Sequence, residues 1–180
     1  MGSRTHTSDR FQDLAIPLLG SLYNHAQWLT RDAVEAEDLV QESLAKALRA
    51  FGSFEQGTNF KAWIFRILRN TFLTSRTAIA HSRTVYLEDH PDVIESAESS
   101  PTPEDEVIKL NDLAALRGAL EQLAPHMREI VLLCDLEELK YQEIAVILDV
   151  PIGTVMSRLA RARRALRQLL ISTTGDTHER

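Results

Sequence analysis

One cysteine, Cys134, in 180 residues excludes an internal disulfide and fits a reducing compartment such as the cytoplasm. Cys134 falls in the apolar row Met127, Ile130, Val131, Leu133, Cys134, Leu136, so a core thiol is expected rather than a reactive one. Histidine is equally uninformative. His6, His25, His81, His90, His126 and His178 are scattered, and none stands at ligand spacing from another or from Cys134, so no metal and no cofactor are expected. The seven glycines do not assemble into a phosphate-cradling loop, and no nucleophile-elbow motif occurs. The carboxylate pairs Glu37-Asp38 and Glu137-Glu138 sit on polar helix ends, where solvation or the helix dipole accounts for them, so an enzyme is not expected. No apolar run approaches the roughly 18 residues of a membrane span, and MGSRTHTSDR lacks the apolar centre of a signal peptide. Neither membrane insertion nor export is expected.

What is present is helical periodicity. Hydrophobic content of 44% and charged content of 26% are those of a globular chain. Phe11, Leu14, Ile16, Leu18, Leu19, Leu22, Ala26 and Leu29 define a helical pattern over Arg10 to Leu29 that Pro17 and Gly20 bend or split. Thr30 to Glu35 reads as a turn. AEDLVQESLAKALRAF at 36–51 is amphipathic, with Leu39, Val40, Ser43, Leu44, Ala47, Leu48 and Phe51 on one stripe and Gly52-Ser53 as its end. Its outer face carries Asp38, Gln41, Glu42, Lys46 and Arg49, which alone read as a solvated surface. FEQGTNF at 54–60 is a loop, and KAWIFRILRNTFLTSR at 61–76 a helix that interleaves aromatics with Arg66, Arg69, Asn70 and Arg76. That composition suits either unpaired bases or a plain aromatic core.

From Ala78 to Asp105 the period disappears. Pro91, Pro101 and Pro103 punctuate a Ser/Glu-rich stretch, with a short helical turn possible at Leu87 to Val93, and the segment reads as a flexible linker. Helical spacing returns at Glu106 to Leu123 and again at Pro125 to Glu137. The expected architecture is all-α: two small helical domains, residues 10–77 and 106–172, joined by an acidic linker at 78–105.

The last helical pair is YQEIAVILDVPIGTVMSRLARARRALRQLL at 141–170. Ile144, Ala145 and Leu148 face one way on a first helix; Val155, Leu159, Ala162, Leu166 and Leu170 do so on a second. Pro151 suits the first turn of that second helix, and Asp149 is the residue expected to take the left-handed turn conformation. Val150 plugs the gap between helices and Ala145 permits a close crossing. The unit reads as a helix-turn-helix. Arg158, Arg161, Arg163, Arg164 and Arg167, with no acid from Pro151 to Leu170, suit phosphate and guanine; a helical hairpin with a solvated basic face has the same pattern.

Net charge of −6 looks wrong for a nucleic-acid binder until it is resolved along the chain. Lys61 to Val85 holds five basic residues and no acid, and Lys140 to Leu170 holds six basic against two acidic. Tyr86 to Asp112 holds nine acidic against one basic. Local potential governs phosphate binding, and two basic blocks flank an acidic connector.

Taken together, AEDLVQES at 36–43, FEQGTNFKAWIFRILRN at 54–70, the acidic stretch and LEELKYQEIAVILDVPIGTVMSRLARAR at 136–163 resemble a bacterial sigma-70 family factor, and more closely its extracytoplasmic-function group, which keeps regions 2 and 4. The resemblance covers about residues 10–170. It implies that Asp38, Leu39, Gln41 and Glu42 dock on the clamp helices of the polymerase β′ subunit, and that region 4 meets the β flap. It implies that the 54–60 loop, through Phe54 and Asn59, receives a −10 base; that Trp63 and Asn70 hold the strands apart; and that Lys61, Arg66 and Arg69 contact backbone. In region 4 it implies −35 contacts from Thr154, Met156, Ser157, Ala160 and Arg161, with Arg158, Arg163 and Arg164 on phosphate. Met156 and Ala160 offer only apolar contact where such factors often carry larger or basic side chains. The implied partners are core RNA polymerase, promoter DNA and an anti-sigma factor. Two other readings fit parts of the chain: a stand-alone helix-turn-helix regulator, which leaves 36–70 without a role, and a helical adaptor for acidic proteins.

Overall fold

The structure is a computed structural model that describes the backbone of residues 3–83 and 104–175, and side chains within 8–78 and 113–172. Among the described residues every regular element is helical. Four helices precede the stretch 84–103: α1 (Ser3–Ala15), α2 (Leu19–Thr30), α3 (Ala33–Ala50) and α4 (Phe60–Arg83). Four follow it: α5 (Glu104–Gln122), α6 (Pro125–Val131), α7 (Tyr141–Leu148) and α8 (Ile152–Gly175). The short helical turn expected at Leu87 to Val93 lies outside the described residues.

Local chemistry explains the breaks. Pro17 forces a single 3₁₀ turn, Ile16–Leu18, between α1 and α2. α2 ends where Arg31 adopts a left-handed conformation (φ 60°) and its N–H reaches the Gln27 carbonyl at 2.8 Å. Asp32 then caps α3 by accepting from the Glu35 N–H at 2.8 Å. This cap starts α3 three residues before the pattern at Ala36 does, because an N-cap acts ahead of the first apolar residue. Gly57 (φ 93°) supplies the turn into α4. Asn59 caps α4, accepting from Lys61 N–H at 3.0 Å and Ala62 N–H at 3.4 Å. α4 continues to Arg83, six residues into the stretch read as linker from its composition.

The N-terminal lobe packs α2, α3 and α4 around Leu22, Ala26, Ala36, Ala47, Ile64, Phe65 and Leu68, all at most 1% exposed. Burying each of the larger of these, Leu22, Ile64, Phe65 and Leu68, contributes roughly 1.5–3 kcal/mol. Ser43 sits in that core because its hydroxyl donates to the Leu39 carbonyl at 2.6 Å. Leu48, expected on the same stripe, is 44% exposed: it follows Ala47 by about 100° around the helix and so falls on the flank of the stripe rather than its centre.

The C-terminal lobe is aliphatic, built on Ile130, Leu133, Ile144, Ile147, Val155 and Leu159. Arg128 is buried in it and occupied: its guanidinium donates to the carbonyls of Leu120 (2.7 Å), Glu121 (2.7 Å) and Leu123 (3.0 Å). These carbonyls lie at and just past the end of α5, where the intrahelical ladder runs out; Leu120 accepts in addition from the Leu123 N–H at 3.2 Å. The helix expected over Pro125 to Glu137 is not uniform. After Val131 it widens into a π turn, Leu132–Leu136, and closes where Glu138 takes φ 55°. Cys134 in that turn is only partly buried. Burial, with Asp135 beside it, raises its pKa, so the thiol stays protonated.

α7 and α8 form the expected helix-turn-helix. Asp149 is left-handed (φ 54°, ψ 51°), and the Val150 N–H bonds to the Ala145 carbonyl at 3.1 Å. Pro151 opens α8, its carbonyl accepting from Thr154 at 2.9 Å. The two lobes meet where α4 lies against α7, and their buried residues form one contiguous cluster.

Candidate nucleic-acid and polymerase surfaces

The structure gathers the sequence-derived candidates onto three helical faces. On α3, Asp38, Gln41 and Glu42 point to solvent in one patch, while Leu39 is 6% exposed and turned into the lobe. Glu42 is within 2.7 Å of Lys46 one turn on, an exposed i,i+4 pair of small energetic weight.

The second face runs from the 54–60 loop along α4. Phe54 and Trp63 are half-buried in an aromatic group with Phe51 and Phe60; the Phe54 and Trp63 rings lie 5.2 Å apart, and the Trp63 and Phe60 rings 5.5 Å. The rings therefore pack together as a core group while Phe54 and Trp63 each stay partly exposed. Arg66 and Asn70 are exposed. Asn59, Lys61 and Arg69 are not available in the same way. Asn59 Nδ2 donates to Glu143 Oε1 at 2.8 Å. Lys61 Nζ donates to the Glu137 carbonyl at 2.9 Å and lies 2.8 Å from that residue's Oε2. The latter atom makes no aligned hydrogen bond, so this contact is one of charge. Arg69 Nε donates to Glu129 Oε1 at 2.9 Å. Burial pushes the Glu129 carboxyl up, against the pull of Arg69 and, more weakly, Arg158.

The third face is the outward side of α8. Met156, Ser157, Ala160, Arg161, Arg163 and Arg164 are exposed; Thr154 and Arg158 are partly covered. Arg161 Nε donates to the Ser157 carbonyl at 3.3 Å, which holds its stem along the helix. Arg163 differs from its neighbours: it forms an ion pair with Asp135 of the π turn, with Nε 3.1 Å from Oδ2. That hydrogen bond holds its pKa above the ordinary arginine range.

Between α2, α4 and α6 lies a cleft of about 650 Å³ whose lining includes Trp28, Phe72, Arg31, Arg69 and Arg76. His25, at its floor, is 3% exposed with Nδ1 unpartnered and its ring against Phe65, 5.2 Å away. Burial, and secondarily Arg69, lowers its pKa to about 4, so it is neutral near pH 7. Among the described residues no three His, Cys, Asp or Glu side chains form a cluster able to hold a metal, and no helix is long and apolar enough to cross a membrane.

Sequence reasoning did not find Glu129, Glu137 or Glu143 as partners of the α4 cations. Asn59 as a helix cap was legible, since an Asn just ahead of an apolar-periodic run is the usual N-terminal signal.

Known proteins share this arrangement. The model of sigma-70 region 2 matches residues 16–84, and that of sigma-70 region 4 matches residues 113–166. The extracytoplasmic-function (ECF) RNA polymerase sigma factor EcfG of Rhodopseudomonas palustris is 32% identical, over 91% of this chain and 86% of its own. The ECF sigma-E factor of Haemophilus influenzae is 34% identical, over 84% and 85%. The ECF sigma factor SigE of Mycolicibacterium smegmatis is 35% identical over 87% of this chain, which spans 60% of that longer relative. Among solved structures, the sigma factor RpoE of Bartonella quintana, crystallised with the anti-sigma factor NepR, superposes with a TM-score of 0.72 at 31% identity, over 95% of this chain and 99% of its own. CnrH, solved with the cytosolic domain of CnrY, shares the fold at a TM-score of 0.61 and 21% identity.

Proposed function

The chain belongs to the sigma-70 family of RNA polymerase sigma factors, in its extracytoplasmic-function group, and on that premise we propose that it binds core RNA polymerase, selects promoters by their −35 and −10 elements and assists strand opening. It performs no reaction of its own. It supplies two DNA-reading lobes, roughly residues 10–77 and 106–172, and the polymerase holds them at a set separation. Each lobe alone binds weakly, and tethering through core raises the effective concentration of the second contact. The site of action is the cytoplasm, where the polymerase works.

The observation that carries this reading is the presence, in order on one chain, of an exposed acidic-polar patch on α3, an aromatic and cationic α4, and a helix-turn-helix whose second helix has an open arginine face. A stand-alone regulator uses only the third. In this division Asp38, Gln41 and Glu42 meet the β′ clamp helices, with Leu39 setting the patch from beneath. Phe54, Asn59, Lys61, Trp63, Arg66, Arg69 and Asn70 serve the −10 strand. A base taken out of the stack there costs a few kcal/mol, which an aromatic pocket offsets. Thr154, Met156, Ser157, Arg158, Ala160, Arg161, Arg163 and Arg164 serve the −35 duplex, with Met156 and Ala160 suited to thymine methyl groups. Two of the solved relatives are complexes with partner proteins, one of them an anti-sigma factor; control by an anti-sigma factor is the regulation proposed here.

The test is transcription in vitro with core polymerase, with and without this chain, on a promoter library. Chain-dependent transcripts from a shared −35/−10 pattern are expected. Specific duplex binding without any chain-dependent transcript would leave the stand-alone regulator as the better account.

A further inference from the structure

Three of the seven side chains given to the −10 strand are already engaged inside the molecule. Asn59, Lys61 and Arg69 bind Glu143, Glu137 and Glu129, at 2.8, 2.8 and 2.9 Å. The three acids come from three different elements of the C-terminal lobe: α7, the residue after the π turn, and α6. Convergence from separate elements onto one edge of α4 and its cap is a shaped surface rather than a chance contact along one helix. The ion pairs are shielded. Side-chain exposure is 18% for Arg69 against 15% for Glu129, and 27% for Lys61 against 3% for Glu137. A cation so enclosed has most of its charge compensated and little of its surface left for a phosphate.

We propose that the C-terminal lobe masks the strand-binding face of α4 in the free chain, with Glu129, Glu137 and Glu143 standing where DNA acceptors would otherwise lie. This rests on the reading of α4 as the −10 surface. Lobe closure and −10 strand binding are then mutually exclusive on this edge. The exchange is balanced in kind: opening gives the carboxylates back to water while the cations gain phosphate, so the latch releases without leaving a charge buried and unpaired. Two surfaces stay open while the latch is shut. Asp38, Gln41 and Glu42 on α3 are exposed, and so are Arg161 and Arg164 on α8. The closed chain can therefore meet polymerase first and present its −10 face only once the lobes part. By linkage, whatever favours the open form also strengthens −10 binding by the same factor.

The test uses the full chain carrying Glu129→Gln, Glu137→Gln and Glu143→Gln. Glutamine keeps the side chain's size and one acceptor oxygen, enough for residue 143 to go on accepting from the Lys140 N–H at 2.8 Å at the start of α7, while it removes the charge and the second acceptor that Asn59 uses. The probe is a fluorescent single-stranded oligonucleotide bearing the −10 element recovered from the promoter library, without polymerase. At least tenfold tighter binding than wild type is expected, with core-dependent transcription retained. Equal binding by variant and wild type, with transcription retained in both, overturns the latch and leaves the proposed function standing. No wild-type transcription overturns the proposed function itself. Should the variant fail to fold by circular dichroism, the wild-type contacts carry the test: energy transfer between dyes at Glu37→Cys and Gln168→Cys, in a Cys134→Ser background, should fall at saturating oligonucleotide. Saturation with unchanged transfer overturns the latch.

Discussion

Helices α4 and α8 carry five cations each, and the two lobes treat them differently. On α4, Lys61, Arg69 and Arg76 each have a glutamate within 3.0 Å, and of the cations whose side chains are described only Arg66 has no ion pair. On α8 only Arg163 is paired, among the described residues, and Arg161, Arg164 and Arg167 face solvent. The cores differ as well. Five aromatic rings, Phe11, Phe51, Phe54, Phe60 and Trp63, pack edge to face or stacked at one end of the N-terminal lobe, whereas the C-terminal core is aliphatic. Equal charge content therefore does not mean equal readiness. One helix has a basic face open to solvent; the other has most of its described cations paired with acids.

The comparison can be broken most forcefully in the cores. Phe65→Ala removes a ring that is 1% exposed and should cost about 3–5 kcal/mol in urea unfolding, more than Leu159→Ala in the other lobe. The reverse order would show that the C-terminal core carries the greater share. Next is acid. His25 has its folded pKa lowered to about 4 from 6.5. The unfolded chain takes up a proton near pH 6.5 and the folded one only near 4, so stability is full above 6.5 and falls as pH drops between them. The loss is about 3 kcal/mol by the shift of the group. Unfolding of His25→Leu followed over pH 7 to 4 should show a shallower slope than wild type, and an unchanged slope would remove His25 from the account.

Smaller effects sharpen the functional contrast. Replacing Asp38, Gln41 and Glu42 together by alanine should weaken core-polymerase binding by about 2 kcal/mol or more, the size of an interface hot spot, while −35 duplex affinity is unchanged. Loss of duplex affinity instead would merge the two surfaces. Last, Arg161→Ala should lower −35 duplex affinity by about 1–3 kcal/mol if it reads a base. Arg164→Ala should weaken all duplexes alike and reduce the salt slope by about 1 if it meets phosphate. Fluorescence anisotropy across a salt series separates the two.

Much of this was legible in the residues. Pro17, Gly57, Asp149 and Pro151 punctuate the helices because backbone dihedral limits act locally. Apolar spacing placed Leu39, Val40, Ala47, Val155 and Leu159 inside because a helix repeats every 3.6 residues. The family followed from the order of three short segments. What local reasoning could not reach is held by contacts far apart in sequence: Asn59 to Glu143 across 84 residues, Lys61 to Glu137 across 76 and Arg69 to Glu129 across 60. The chain alone determined which side chains can grip a nucleic acid, since charge, shape and period are properties of short stretches. Only tertiary packing decided which of them are free to do so, because a cation's availability depends on which acid the fold brings within 3 Å of it.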